Sequence, residues 1–443
     1  MDSIWMMDFQ MPQFPKLEEN IQTDVLIIGG GITGILCAYF LQEKGIDYVL
    51  LEGKTICSGI TKNTTAKITS QHGLIYHKIL ESEGIGKAKL YLKANEKAVK
   101  KYAELCKGID CDYQVKTSYV YALDDRKKLE KEADALAKIG FQRPILEDTS
   151  LPFPVAGAIP FDNQAQFHPL KFLASISRNL NIYEHTFVTE LKAHTAVTNQ
   201  GNIQFQKVIF ATHFPIDNKH GMYFLKLYQH RSYVIALKNA ADVNGMYIDE
   251  NRMGMSFRNY KDYLLVGGGA HRTGKTGGNW KEIRQFIAKY YPTSKEVDFW
   301  ATQDCMSLDH IPYIGQYSKA MPNCYVASGF NKWGITSSMV AAMILSDMIL
   351  EKANPYQEVF DPSRNMVKPQ LFFNSFEATK NLLTITKKRC PHLGCALKWN
   401  ELEHSWDCPC HGSRFDEDGT LLDNPANVDL DTVKDRTDLF IHQ

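Results

Sequence analysis

The sequence lacks an excess of charge of either sign, because its 443 residues include 50 Lys and Arg and 50 Asp and Glu. A protein that binds nucleic acid through bulk electrostatics needs a strongly positive surface, so we predict no nucleic-acid partner. The composition is 44% hydrophobic and 23% charged, which is typical of a globular chain rather than a disordered one. This length allows two or three domains with an ample core.

The sequence also lacks a long apolar run. The most apolar helix candidate, 335–350, is too short to span a bilayer and contains Asp347. The first twenty residues contain acidic side chains and no apolar centre, which is not the pattern of a signal peptide. We therefore expect a cytoplasmic protein without a membrane span, in which residues 1–19 form an irregular leader.

Residues 24–52 have the pattern of a dinucleotide-binding unit. A buried parallel strand is predicted first, and three glycines follow it in G-x-G-x-x-G spacing: Gly29, Gly31 and Gly34. Such glycines allow a tight turn, the approach of a pyrophosphate to the backbone, and close packing of the next helix. A second predicted strand, 48–51, leads to Glu52, where a carboxylate can bind a ribose hydroxyl. The motif alone does not distinguish FAD from NAD.

Two further segments extend this prediction. Residues 56–76 are rich in small hydroxylated side chains, among them Ser58, Thr61 and Thr65, against which a flat cofactor can lie. The alternative for this segment is a surface loop. The helix predicted over 169–180, with the strand, hairpin and strand predicted over 186–211, has the pattern of a second half of the nucleotide fold, in which the backbone of Val188 would lie beside an adenine.

A second glycine turn lies near the end of the nucleotide-binding pattern. Gly329 and Gly334 join a predicted strand to a predicted helix, which makes either a second polar cradle or an ordinary turn. Two cradles so far apart in the chain fit an FAD better than an NAD. His72 and Cys57 lie near the predicted flavin segment as possible attachment points, although ordinary packing is the simpler interpretation.

Residues 216–304 are rich in aromatic residues and strand signals, which predicts a mostly antiparallel sheet inserted as a substrate domain. Arg231 and Arg258 fall in or beside these strands. Arginine can bind a carboxylate through two parallel hydrogen bonds, so both residues are candidates for binding a substrate carboxylate. The alternative is that they form ion pairs or lie on the surface.

Four of the ten cysteines lie between residues 390 and 410. The sequence places Cys390 and His392 in C-x-H spacing and Cys408 and His411 in C-x-x-H spacing. Two thiolates and two imidazoles are the ligands of a Rieske 2Fe–2S cluster. Zinc also accepts this donor set, but zinc fingers use a different spacing. The other two cysteines, Cys395 and Cys410, form either a disulfide that clamps the two loops or two free thiols.

Two resemblances follow from these motifs. Residues 20–352 resemble the D-amino-acid-oxidase-like FAD-dependent oxidoreductases, which include glycine and sarcosine oxidases, through IIGGGITG, SGITKNTTAK, KVIFATHFP and GFNKWGIT. Residues from about 370 to 443 resemble Rieske domains through CPHLGC and CPCHGSRF. The first resemblance implies that FAD is lined by Gly29, Gly31, Gly34, Glu52, Thr61, Thr65, Val188, Gly329, Gly334 and Thr336. The second implies that the 2Fe–2S cluster is bound by Cys390, His392, Cys408 and His411.

The resemblances imply a fold class and a domain division. We expect a Rossmann-like α/β FAD-binding domain with an inserted, mostly antiparallel substrate domain, followed by a small, shortened β Rieske domain. Because few residues separate 361–362 from Cys390, we expect the Rieske domain to depend on the FAD domain for burial. The expected segments are the leader 1–19; the FAD-binding domain 20–75, 164–215 and 305–352; the substrate domain 76–163 and 216–304; the linker 353–369; and the Rieske domain 370–443.

The expected activity is oxidation of a small amine or amino acid by hydride transfer to the flavin N5. Electrons would then pass singly to the Rieske cluster and on to a protein acceptor. Two alternatives stay open at this point. One is a non-catalytic electron-transfer or redox-sensing module, and the other is a reductase in which electrons flow from the cluster to the flavin.

Overall fold

The computed structural model describes residues 2–7, 9–217, 220–251 and 253–430, so the end of the predicted Rieske segment, 431–443, lies outside the described residues. Within those ranges the chain forms these strands: β1 Ile21–Ile28, β2 Tyr48–Leu51, β3 Lys67–Ile68, β4 Gln114–Ala122, β5 Gly157–Gln166, β6 Ile182–Tyr183, β7 Val188–Lys192, β8 Thr195–Thr198, β9 Asn202–Phe210, β10 Leu227–Lys238, β11 Met246–Asp249, β12 Ser256–Tyr260, β13 Tyr263–Arg272, β14 Lys295–Ser307, β15 Tyr313–Ser318, β16 Met321–Ser328, β17 Lys398–Asn400, β18 Ser405–Asp407, β19 Arg414–Phe415 and β20 Leu421–Asp423. The α helices are α1 Ile32–Glu43, α2 Tyr76–Leu105, α3 Arg126–Lys138, α4 Pro169–Ser177, α5 Tyr223–Lys226, α6 Asn279–Tyr290, α7 Gly334–Ile349, α8 Gln357–Phe360 and α9 Pro369–Leu383.

The first sheet is the nucleotide-binding sheet. Its strand order is β15-β16-β9-β1-β2-β6, and the hairpin β7–β8 joins it through β9. The central strand β1 pairs in parallel with both β2 and β9, and its last four residues are buried. Helices α1 and α7 pack against each other, and the hydroxyls of Thr33 and Ser338 lie 2.8 Å apart across that contact. The Rossmann-like part of the predicted fold class is confirmed.

The second sheet is the inserted sheet, with the strand order β14-β10-β13-β12-β11-β4-β5-β3. Its pairs are antiparallel except for the parallel pair of β11 with β4, so the predicted antiparallel insert is confirmed. Strand β3 and the last residues of β5 belong to this sheet, although both lie in segments predicted to form the FAD-binding domain. The division of the chain into domains stays a prediction.

The third sheet is small and lies near the end of the described chain. Four short antiparallel strands are paired in the order β17-β18-β19-β20, as expected for a small β Rieske domain. Its own core is correspondingly small, with these buried side chains: Cys390, Cys395, Leu397, Cys408, Cys410, Phe415 and Ala426. Hydrogen bonds from the second sheet supplement that core, because Gln303 Nε2 donates to Gly412 O at 2.9 Å and Arg272 Nε donates to Pro409 O at 2.9 Å.

The N-terminal segment packs on the predicted flavin segment. Trp5 is fully buried, and its Nε1 donates to Thr64 O at 2.7 Å. The Trp5 ring also lies edge-on to Tyr260, with ring centroids 4.7 Å apart. This segment therefore helps to fix the loop that precedes β3.

In the part of the chain that the structure describes, none of the helices is long and apolar enough to cross a membrane.

Candidate flavin cavity and iron–sulfur centre

The turn between β1 and α1 is built so that only glycine fits at two of its positions. Gly29 has a φ of +110°, and a Cβ on it would lie 2.6 Å from Ala211 O. A Cβ on Gly34 would lie 1.9 Å from Gly29 O. The helix α1 can therefore pack directly on the turn, and its N-terminus opens onto an adjoining cavity. This is the geometry that binds the pyrophosphate of a dinucleotide.

Glu52 is held in place by backbone amides at the end of β2. Its Oε2 accepts a hydrogen bond from Gly30 N at 2.8 Å, and its Oε1 accepts one from Lys54 N at 2.8 Å. Burial raises the pKa of Glu52, and these two N–H groups act in the opposite direction. Nearby, Thr61 Oγ1 accepts a hydrogen bond from Ile32 N at 3.1 Å, at the N-terminus of α1. Carboxylate and hydroxyl thus lie where a ribose and a pyrophosphate need partners.

A cavity of about 660 Å³ extends from this turn to the other two sheets. Its lining includes Tyr233 and Gly267 of the second sheet, Asp423 of β20 in the third sheet, and Asn424, which follows that strand. Its size is within the usual range for a small-molecule or cofactor site. Eight of the predicted FAD residues line it: Gly29, Gly31, Glu52, Ser58, Thr61, Thr65, Val188 and Gly334. A cavity that starts at a glycine cradle and is lined by these residues fits FAD.

The other three predicted FAD residues, Gly34, Gly329 and Thr336, are not part of the cavity lining. Gly34 supports the packing of α1, and Gly329, with a φ of +70°, lies close to the side chains of Leu227 and Ser307. Thr336 Oγ1 accepts from Thr69 N at 3.1 Å and donates to Thr69 O at 2.8 Å. Thr336 therefore anchors the segment that directly follows β3.

His72 and Cys57 both line the cavity and have contacts of their own. The His72 ring stacks on Trp333 at 4.8 Å, its Nδ1 lies 2.7 Å from Tyr91 Oη, and its Nε2 lies 2.8 Å from Thr69 O. Burial lowers the pKa of His72 to about 3, so the imidazole is neutral. Burial raises the pKa of the Cys57 thiol. These are the contacts of an ordinarily packed histidine, which was the simpler of the two interpretations of His72 from the sequence.

The structure places both candidate substrate arginines outside the described lining of the cavity. Arg231 is buried and forms an ion pair with Glu403, to whose Oε1 its Nε donates at 3.0 Å. Arg258 is fully buried, and its Nη1 donates to Thr65 O at 2.8 Å and to Ala66 O at 2.7 Å. The Nε and Nη2 of Arg258 have no partner among the described residues. An ion pair was the alternative to substrate binding that the sequence left open for Arg231.

Lys67 is a lining residue that the sequence analysis did not single out. Its side chain is buried, and within the described residues its Nζ has one hydrogen-bond partner, Thr65 Oγ1 at 3.2 Å. Burial, together with the positive charge of Arg258, lowers the pKa of Lys67 to about 7. An amine with such a pKa can exchange protons near neutral pH. Only its position among small hydroxylated residues could have drawn attention to it.

The two cysteine–histidine loops have the same local fold. In the first loop, Cys390 N donates to Cys395 O at 2.9 Å and Gly394 N donates to Cys390 O at 2.9 Å. In the second, Cys408 N donates to Ser413 O at 2.8 Å and Gly412 N donates to Cys408 O at 2.9 Å. Both loops have the sequence C-P-x-x-G, and both glycines have positive φ. The chain therefore presents two equivalent loops, each of which contributes one predicted thiolate and one predicted imidazole.

These loops bring the predicted ligands together. The Nδ1 atoms of His392 and His411 lie 3.2 Å apart, and Cys390 and Cys408 are buried. The thiols of Cys395, Cys408 and Cys410 lie within 4.8 Å of one another. All ten cysteines lie in the described residues and are free, so the pairing of Cys395 with Cys410 stays open. Two imidazole nitrogens that converge beside buried thiols form a donor set that fits a 2Fe–2S cluster.

A buried ion network joins the third sheet to the second. Arg414 donates to Asp407 Oδ1 at 2.9 Å, to Glu403 Oε2 at 2.9 Å and to Asp423 Oδ2 at 3.2 Å. Burial alone would raise the pKa of Glu403, but the charges of Arg231 and Arg414 lower it to about 2. Tyr233, which lines the cavity, donates its hydroxyl to Glu403 Oε1 at 3.0 Å. The network thus reaches from the cluster domain to the cavity wall.

A second connection reaches the cluster loops directly. His213 lines the cavity, and its Nε2 lies 3.1 Å from Gln229 Oε1. Gln229 Nε2 donates to His411 O at 2.9 Å and to Asn424 O at 3.0 Å. The ring of Phe214 lies edge-on to the His411 ring, with centroids 6.2 Å apart. One glutamine side chain therefore separates the cavity wall from a predicted cluster ligand.

Comparison with known proteins agrees with this geometry. A family model described as FAD dependent oxidoreductase, the DAO family, matches residues 24–348, and a Rieske 2Fe–2S domain model matches residues 364–434. The chain belongs to the DAO family of FAD-dependent oxidoreductases. It is therefore an oxidoreductase enzyme whose cofactors are FAD and a Rieske 2Fe–2S cluster.

Similar proteins are found over the whole chain and over its FAD-binding part. The putative Rieske 2Fe–2S iron–sulfur protein YhfW of Bacillus subtilis is 32% identical, over 97% of this chain and 98% of the relative. Gamma-glutamylputrescine oxidoreductase of Escherichia coli is 23% identical over 80% of this chain and 88% of its own length. Among solved structures, glycine oxidase from Geobacillus kaustophilus has a TM-score of 0.66 at 18% identity, covering 78% of this chain and 99% of that one. That likeness shows the fold of the FAD-binding part.

Proposed function

We propose that this enzyme is a dehydrogenase that oxidises a small amine or amino acid and delivers the electrons to a protein acceptor through its own cluster. The observation that carries the proposal is the continuous lining of the 660 Å³ cavity, which runs from the glycine cradle through the second sheet to β20 of the third. Substrate and flavin would then share one cavity, and the side chain of Gln229 would lie between its wall and the cluster ligand His411. The names of similar proteins, a glycine oxidase and a gamma-glutamylputrescine oxidoreductase, support an amine or amino acid as the substrate.

The charges that strands β10 to β14 contribute to the cavity wall favour an amine over a carboxylate as the group that these strands bind. Strands β10 to β14 contribute Asp249 and Asp304 to the lining and, within the described residues, no lysine or arginine. Ser232 Oγ donates to Asp304 Oδ2 at 2.7 Å, and among the described residues the other oxygen of that carboxylate accepts no hydrogen bond, so a cation could bind there. Carboxylates bind ammonium groups through charge-assisted hydrogen bonds.

Lys67 supplies a proton acceptor in this proposal. A substrate amine must be neutral before its α-carbon can release a hydride, so an ammonium substrate first has to lose a proton. Neutral Lys67 Nζ accepts that proton, which a pKa of about 7 allows near neutral pH. FAD, when bound, accepts the hydride, and the 2Fe–2S cluster carries electrons one at a time. Water then hydrolyses the resulting imine.

The experiment is anaerobic reduction of the holoprotein by a panel of amino acids, N-methyl amines and diamines. We expect at least one compound to bleach the flavin absorption and to produce the electron paramagnetic resonance signal of a reduced Rieske cluster. A His411→Ala variant is the matched control, in which the same compound should bleach the flavin without a cluster signal. If no compound bleaches the flavin while reduced ferredoxin does, electron flow is reversed and the proposal is wrong.

A further inference from the structure

Helix α9, which precedes the first cluster loop, packs with its polar side chains toward the protein. Asn374 is buried, donates through Nδ2 to Leu225 O at 3.1 Å and accepts from Arg272 Nη1 at 2.9 Å. Glu377 forms an ion pair with Lys275 at 2.7 Å. These specific contacts fix the rotation of the helix about its axis. The face that an amphipathic helix normally buries is therefore turned outward.

The outward face is strongly apolar. The side chains there, which we call the apolar stripe, are Phe372, Phe373, Phe376, Leu382, Leu383 and Ile385. The three phenylalanines are 67%, 64% and 66% exposed, and Leu383 is 78% and Ile385 98% exposed. Phe372, Phe376 and Leu383 are spaced four and seven apart and therefore lie on one face of α9, and Ile385 follows just after the end of the helix. Several large apolar side chains exposed together in this way mark an interaction site.

The surroundings of the stripe are positively charged, although the whole chain has no net charge. Residues 378–400 contain no Asp or Glu and include these five cations: Lys380, Lys387, Lys388, Arg389 and Lys398. All of them except Lys398 lie within ten residues, and these four are exposed. A partner that covers the stripe must therefore combine apolar material with negative charge.

The shape of the stripe favours lipid over a folded protein. It is a convex helix face from which side chains project, rather than a groove that receives a partner's side chains. Phenylalanine and leucine on one face with basic residues beside them are typical of helices that lie in a membrane interface. Clusters of lysine and arginine are attracted to anionic headgroups. We infer that the apolar stripe and its five cations bind the enzyme to the surface of a membrane that contains anionic lipid.

This attachment would bring the cluster beside the lipid surface. The end of α9 contacts the first cluster loop, where Ala396 N donates to Asn381 O at 3.0 Å. The Sγ of Cys410 lies 3.8 Å from Glu377 O. The cluster loops therefore rest on the same helix whose other face carries the stripe. The inference does not depend on which compound the enzyme oxidises.

The test is co-sedimentation of the holoprotein with vesicles of phosphatidylcholine alone or mixed with phosphatidylglycerol. We expect binding to the anionic vesicles that weakens as salt is raised. Phe376→Ser should lower the partition coefficient about tenfold, because it removes one large apolar side chain from the bilayer interface. Val115→Ser is the matched control, since Val115 is 61% exposed on β4 and far from the stripe in sequence, and should leave binding unchanged.

A second pair of variants tests the charge. Lys387→Glu combined with Lys388→Glu should abolish the preference for anionic vesicles, whereas Lys127→Glu on α3 should retain it. Unchanged flavin and cluster spectra establish that each variant is folded. The inference is overturned if neither vesicle type binds, or if both bind equally. It is also overturned if sedimentation reveals a dimer that Phe376→Ser dissociates, or if an acidic redox protein binds the stripe while vesicles do not.

Discussion

Glu403→Gln is the substitution that best tests how the cluster domain is attached. The side chain of Glu403 is 8% exposed and lies between the guanidinium groups of Arg231 and Arg414. The amide keeps the shape but removes the charge, which leaves Arg231 with Asp423 at 4.0 Å as its remaining carboxylate partner among the described residues. Breaking a buried ion pair from one side costs about 3–5 kcal/mol.

The pKa of Glu403 gives a second, independent value for the stability that its charge contributes. It falls from an ordinary 4.5 to about 2, and at about 1.4 kcal/mol for each pH unit this amounts to roughly 3 kcal/mol. Because the folded-state pKa is depressed, the contribution is fully present above pH 4.5 and is lost as the pH falls toward 2. The two magnitudes agree, so we expect the variant to be about 3 kcal/mol less stable at neutral pH.

The assay is urea unfolding of the holoprotein, followed by the visible absorption of the cluster and by far-ultraviolet circular dichroism. Glu401→Gln is the matched control, because Glu401 is exposed in the same turn and should change stability by less than about 0.5 kcal/mol. The difference between wild type and Glu403→Gln should shrink as the pH is lowered from 4.5. A loss below about 1 kcal/mol at neutral pH, or a difference that does not depend on pH, would refute the reasoning.

Three further predictions concern the cofactors and the proton acceptor. Gly34→Ala should yield protein without FAD by absorption, because its Cβ would lie 1.9 Å from Gly29 O, whereas Gly86→Ala, which has open space, should retain FAD. In stopped-flow absorption, flavin reduction by substrate should accelerate as the pH rises through about 7, where Lys67 loses its proton. The Lys67→Met variant should reduce its flavin slowly and without this pH dependence. If the pH dependence persists in that variant, Lys67 is not the proton acceptor. His411→Ala should retain FAD and lose iron and sulfide on chemical analysis, and a full cluster content would exclude it as a ligand.

Local sequence patterns predicted the elements that depend on local physics. The second strand of the nucleotide unit is Tyr48–Leu51, as expected from an apolar run followed by an acid. The first helix begins at Ile32, directly after the glycine turn. Both are fixed by backbone geometry and by burial, which short stretches of sequence encode. The repeated C-P-x-x-G loops are equally local, and their ligand spacing indicated the cluster type.

Contacts between distant residues could not be predicted in this way. Arg231 and Glu403 are 172 positions apart, and nothing near Arg231 indicates whether it binds a substrate or another side chain. The cavity position of Lys67 follows from the pairing of β3 with β5, which the sequence analysis did not foresee. The pKa of Lys67 depends on burial and on Arg258, both of which arise from the tertiary fold. Pattern alone therefore gave the cofactors but not their electrostatic surroundings.

Alternate residues of strand β10 contact the second cluster loop, the ion network and the cavity. Gln229 contacts the second cluster loop, Arg231 pairs with Glu403, and Tyr233 bonds to Glu403 while lining the cavity. A displacement of this strand on its cavity side would therefore also displace the side chain that holds the second cluster loop. We expect substitutions in β10 that reshape the cavity to alter the spectrum of the cluster as well.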